Sequence, residues 1–253
     1  MPTATKKSPS SFILPDLVSD CTYPLRVNPH GIEQGRASEK WLLEGANHSE
    51  RKHAAFLGLN AGYLASVCYP DADATRLRIV ADFLNFLFNL DDWTDEFDVN
   101  DTVTMEECCI GAMRDPINFQ TDKKAGLLTK SYVRVHISCE RTNLTLAVDR
   151  FFSRFAETAH PACRERFIVN MQLFFGEVAQ QASDRANGLV PDLESYIVGR
   201  RDNSGCKPCF QFIEYAGGFG LPEEVVQHPM IQSLEEAAND LIAWSNVRRS
   251  TFD

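Results

Sequence analysis

No stretch of this 253-residue chain approaches the ~18 consecutive apolar residues of a membrane span. The longest apolar run, Ile79 to Leu90, is interrupted by Asp82, Asn85 and Asn89. The N-terminus, Met1 to Ser10, has no apolar segment of the signal-peptide type, so a cytoplasmic location is expected. A basic excess is missing too. The formal net charge of −10 argues against nucleic acid or an anionic membrane as partner. The six histidines are scattered, with no His-x-x-x-His pattern, which speaks against zinc. Alternating hairpin patterns, a βαβ rhythm, internal repeats and low-complexity blocks are all absent. Cysteine, by contrast, is present eight times and reads as reduced thiols in a chain of this character. Cys206-Lys-Pro-Cys209 has redox spacing, but it follows Ser-Gly and precedes an aromatic run rather than closing a strand, so packing is expected there.

What is present is helical periodicity. With 44% hydrophobic and 24% charged residues the chain can bury a sizeable core. Apolar spacing predicts helices over 31–43, 50–67, 76–96 and 104–113, then a long run over 151–186. Further helices are predicted at 193–201, 209–216 and 230–244, with Asn203-Ser-Gly205 as a stop. Only Tyr132 to Ser138 looks strand-like. The expectation is an all-α fold of one domain spanning 1–253.

Residues 91–98, Asp-Asp-Trp-Thr-Asp-Glu-Phe-Asp, place five carboxylates in eight positions at the end of the most apolar helix. Asp91 and Asp95 fall one turn apart on one face, above Leu84, Leu87 and Phe88. Acid at a helix C-terminus opposes the macrodipole, and like charges at this spacing repel by roughly 0.2–0.5 kcal/mol. A hard divalent cation offsets both. Mg2+ takes one or two carboxylates and leaves its other positions to water and phosphate oxygens. The segment therefore points to a greasy pocket with a magnesium-loaded, diphosphate-binding mouth.

An all-α chain with such a helix end resembles the class I terpene synthases, and in detail the basidiomycete-type sesquiterpene synthases. The similarity is carried by Phe12-Ile-Leu-Pro-Asp-Leu17, Asn28-Pro-His30 and Phe88 to Asp98. Val178 to Arg185, Tyr196 to Gly205 and Ala238 to Asn246 continue it. The resemblance implies a helical bundle around an apolar cavity that binds a prenyl diphosphate with three Mg2+ ions. On this reading the chain is a Mg2+-dependent sesquiterpene synthase that ionises and cyclises farnesyl diphosphate with release of diphosphate. The first metal motif maps onto Asp91 and Asp95. The diphosphate-sensing arginine maps onto Arg200 in preference to Arg201, because Arg200 lies 46 positions before Asn246. The planar fork of an arginine bonds two phosphate oxygens at once. Phe88 is the candidate wall residue of the cavity.

The second metal motif of that family is Asn-Asp-x-x-Ser-x-x-x-Glu. Here Asn246 and Ser250 occupy the first and fifth places, Val247 replaces the aspartate, and the glutamate would fall one residue past Asp253. The domain is thus expected to be incomplete at its C-terminus. Residues 133–150 interrupt what otherwise reads as one helix joining Ser131-Tyr132 to Phe151, and are expected to be an aberrant insertion. Both departures begin Val-Arg, which suggests translated, retained introns. Three other functions compete with the synthase. They are an inactive, truncated or misspliced homologue that at most binds diphosphate, a prenyl-elongating transferase, and an acidic all-α interaction module. The transferase needs a second aspartate-rich motif downstream, and none occurs.

Overall fold

The computed structural model describes residues 21–46, 50–94, 97–115, 118–119 and 151–250. Within them the structure is α-helical and contains no strand. The strand-like segment 132–138, the interruption 133–150, Asp95 and Glu96 lie outside the described residues.

Helices α1 (Gly31–Ala46), α2 (Glu50–Leu59), α3 (Ala61–Cys68), α4 (Ala74–Thr94) and α5 (Val99–Arg114) make up the first part. After them come α6 (Phe151–Thr158), α7 (Pro161–Asn187), α8 (Leu193–Asn203), α9 (Cys206–Gly217), the single turn α10 (Glu223–Val226) and α11 (Pro229–Ser250). Helix α4 is apolar nearly all round, as a central helix must be. Val80, Phe83, Phe86 and Leu90 are fully buried in it, and α1, α3, α6 and α9 pack around it. The polar residues that break its run are buried, and two of them are matched. Asp82 pairs with Arg78 at 2.8 Å and with Arg154 of α6, and Asn85 donates to Ser38 Oγ at 2.8 Å.

The core is aromatic. Phe83 meets Phe167 and Phe212 at centroid distances of 5.1 and 5.0 Å, and Phe155 meets Phe212 at 5.0 Å. Such tilted and edge-on pairs add about 0.5–1.5 kcal/mol each beyond their buried area. The segment Asn28-Pro-His30 anchors the entry to α1. Asn28 is buried and donates to the carbonyls of Tyr69 and Ala72 at 3.0 and 2.7 Å, while its own carboxamide oxygen accepts from His30 N.

Four helix boundaries differ from the periodicity. The run 50–67 divides at Asn60, which takes a left-handed backbone (φ 52°) between α2 and α3. The run 151–186 divides at His160-Pro161, because a residue before proline is pushed to extended geometry and proline favours a first helical position. Helix α5 begins five residues before Thr104, since Asp98 accepts from Asp101 N at 2.8 Å as its N-cap. Helix α11 runs on past Trp244 to Ser250.

Candidate functional site

Asp91 and Asp92 occupy the last turn of α4 and are exposed, while Thr94 Oγ1 returns a hydrogen bond to the Asp91 carbonyl at 3.0 Å. One and two turns earlier Leu87 and Leu84 are buried, and Phe88 is half-buried against the core. The acidic end therefore rises directly from apolar packing. Two of its carboxylates, Asp91 and Asp92, face solvent. A third, Asp98, is committed to capping α5, which sequence spacing alone had grouped with the cluster.

Arg200 lies on α8, five residues before a turn that touches α4. Helix α8 starts where the Asp192 carboxylate accepts from Ser195 N at 2.8 Å, and it stops at Ser204-Gly205. Gly205 takes φ +74° and seats against Leu87, whose Cδ2 lies 2.8 Å from the position a Cβ would take. Only glycine fits there on both counts. The contact lays the end of α8 over α4, one turn below Asp91. At the other side of the same helix Gly199 is buried under Glu177 of α7, with Oε1 2.2 Å from the position of an added Cβ. Burial first, and then the nearby Asp202 charge, push the Glu177 carboxyl above its ordinary range.

The two adjacent arginines differ. Arg201 is bound by both oxygens of Asp240 at 2.7 Å each and lies 3.4 Å from Glu236, so its charge is spent on α11. The hydrogen bond from Arg201 in turn holds the Asp240 carboxyl below the usual range. Arg200 donates to the neutral Asn203 Oδ1 at 2.9 Å, and its Nε is buried with no hydrogen-bond acceptor. Among the described residues no carboxylate pairs with Arg200.

Asn246 is exposed on α11, six residues and about 9 Å of helix beyond Asp240. Helices α8 and α11 run antiparallel, since Arg201 meets Asp240 and Tyr196 meets Trp244 at 6.0 Å between ring centroids. Asn246 thus lies on the helix that Arg201 grips, beyond the Tyr196–Trp244 contact. Ser250 closes α11, and Asp95 lies outside the described residues. Among the described residues no three His, Cys, Asp or Glu side chains group closely enough to hold a metal ion. The donors that are present, the Asp91 and Asp92 carboxylates and the Asn246 amide, are hard oxygen groups open to solvent, and such a set suits Mg2+. Below the acidic end, Phe97, Ala182 and Arg185 line an open groove of about 560 Å³. No helix among the described residues is long and apolar enough to cross a membrane.

The Cys206 and Cys209 thiols are both pushed up by burial, which disfavours the reactive thiolate, in keeping with a packing role. Periodicity missed Asn239. It is 1% exposed and joins Arg201 to Ser204, and a buried asparagine 35 residues from its partners leaves no local spacing to read.

The family model for terpene synthase family 2, C-terminal metal binding, matches residues 82–246. Sesquiterpene synthase 2 of Postia placenta is 43% identical over 243 residues, 96% of this chain and 66% of that protein. Sesquiterpene synthase Agr1 of Cyclocybe aegerita is 42% identical over 250 residues, 96% of this chain and 67% of that protein. The chain spans about two thirds of the length of these curated relatives. Among solved structures, germacradien-4-ol synthase from Streptomyces citricolor superposes with a TM-score of 0.73 at 22% identity, covering 92% of this chain and 73% of that one. That likeness establishes the shared helical fold.

Proposed function

This chain belongs to the terpene synthase family, and on that premise we propose that it acts on farnesyl diphosphate with Mg2+, ionising and cyclising it and releasing diphosphate. The observation that carries the proposal is the Leu87–Gly205 contact. It brings the turn that follows the helix of Arg200 against α4 one turn below Asp91, which supports reading the exposed Asp91 and Asp92 carboxylates and the Arg200 guanidinium, whose charge no described carboxylate cancels, as two sides of one site. A diphosphate brings the anionic charge that both sides lack once the carboxylates are loaded. The names of the relatives, sesquiterpene synthases, support a farnesyl chain as the prenyl group.

Asp91, together with Asp95, Asn246 and Ser250, is the set that would hold Mg2+. When bound, the metal supplies positive charge that favours departure of the diphosphate. Arg200 donates its remaining N–H groups to diphosphate oxygens, orienting the leaving group and stabilising the charge that accumulates on it. Asn203 holds the guanidinium in that direction at 2.9 Å. Leu84, Leu87 and Phe88 turn apolar surface toward the prenyl chain side of the mouth. On this reading Phe88, half-buried against the core, would be the wall residue that meets the carbocation ionisation leaves.

The test is incubation of the purified chain with farnesyl diphosphate and Mg2+, followed by headspace analysis. A cyclic hydrocarbon or alcohol is expected from the wild type and none from Asp91→Ala. Absence of product from a folded wild-type chain, or an unchanged product yield from Asp91→Ala, would contradict the proposal.

A further inference from the structure

The turn that carries Arg200 is gripped by a dipeptide of α11. Arg200 bonds Asn203 across a single helical turn, and both neighbours of that pair are held from outside it. Arg201 gives its guanidinium to Asp240 and its carbonyl to Asn239 Nδ2 at 2.8 Å. Ser204 gives its hydroxyl to Asn239 Oδ1 at 2.7 Å and accepts from Cys206 N at 3.1 Å. The last carbonyls of a helix have no partner inside it, and here Asn239 satisfies one of them while buried to 1% exposure. Its amide is used at both ends, so neither orientation nor register is free.

We infer that Asn239 and Asp240 are positioning residues, which hold the Arg200–Asn203 pair at a fixed place relative to Asn246 on the same helix α11. This role rests on the diphosphate reading above and adds to it a mechanical link. The arginine that meets the diphosphate and the amide on the metal side are tied to one rigid element, with Asn239, Asp240 and Asn246 all on α11. Asp240 has a second effect. By consuming Arg201 it keeps the neighbouring cation from competing with Arg200 for the same anion.

The experiment is isothermal titration of the wild-type chain, Asn239→Ala and Asp240→Asn with inorganic pyrophosphate at fixed Mg2+, with thermal melts in parallel. Both variants are expected to bind pyrophosphate about tenfold more weakly or worse, the loss of roughly one charge-assisted or buried hydrogen bond. Asp240→Glu, which keeps a carboxylate for Arg201, is expected to recover most of the affinity. Tyr69→Phe removes the 2.8 Å bond from α3 to the Cys209 carbonyl, away from α8. It is expected to lower the melting temperature and leave affinity within about twofold of wild type. A purely structural role would make affinity follow melting temperature across all four variants, or leave Asn239→Ala and Asp240→Asn binding as the wild type does, and either result overturns the inference. If Asn239→Ala does not fold, the shape-conserving Asp240→Asn decides alone. A folded wild type that binds no pyrophosphate refutes the diphosphate reading itself, and the positioning role falls with it.

Discussion

The end of α4 and the junction of α8 with α11 carry opposite charges and are built in opposite ways. At the end of α4 Asp91 and Asp92 are exposed, on a helix terminus whose dipole already disfavours them. At the α8–α11 junction most polar groups are tied down, Arg200 Nε excepted. Arg201 is doubly bonded to Asp240, Asn239 is used at both ends, and Gly199 and Gly205 leave no space above Glu177 and Leu87. The difference teaches which side is organised before the ligand arrives. The cationic side is hydrogen-bonded across two helices in the folded chain, whereas on the proposed reading the acidic side would complete its charge balance with a metal. Preorganised donors stabilise developing charge without reorganising at the moment of reaction, which is where rigidity serves an arginine best.

The sharpest way to break this comparison is to remove the base on which both regions stand. Asp82→Ala leaves Arg78 and Arg154 without their shared buried carboxylate and should cost about 3–5 kcal/mol, read from urea unfolding. A smaller loss is expected at the rigid side alone. Gly199→Ala pushes aside the Glu177 carboxylate, the free end of a half-buried side chain, and should cost no more than about 1 kcal/mol. The double variant Gly199→Ala/Glu177→Ala should recover part of that, a non-additivity measurable in the same unfolding series.

At the acidic side the ranking reverses. Asp91→Asn should change stability by no more than about 0.5 kcal/mol, since the side chain is exposed, yet abolish Mg2+-dependent pyrophosphate binding. The smallest effect concerns pH. The folded-state pKa of Glu177 is raised, so its contribution is fully favourable below the unfolded carboxylate pKa and is lost as pH rises through the folded value. Glu177→Gln should therefore raise the melting temperature by roughly 1–3 °C at neutral pH, and the advantage should vanish in acid.

Much of this architecture is legible in the chain because it is local. The apolar run to Leu90 fixes α4 as central, the Asp91–Asp98 segment marks its acidic end, and Asn203-Ser204-Gly205 marks the stop of α8. What escapes is pairing at a distance. Sequence separates Arg200 from Arg201 only by the 46 positions to Asn246, and it is the bond from Arg201 to Asp240, 39 residues beyond it, that shows which charge is spent. Asp98 reads as a fifth acid of the cluster until α5 claims it as a cap. The breaks at Asn60 and His160-Pro161 are hidden because apolar periodicity continues across both.

The central claim is that one diphosphate is held jointly by the acidic end of α4 and by Arg200. It is tested most directly by pyrophosphate titration, at fixed Mg2+, of the wild type, Asp91→Ala, Arg200→Ala and the double variant. Joint binding predicts strong loss in each single variant and little further loss in the double, a coupling that independent sites cannot produce. Wild-type affinity in either single variant, or losses that simply add in the double, would contradict it.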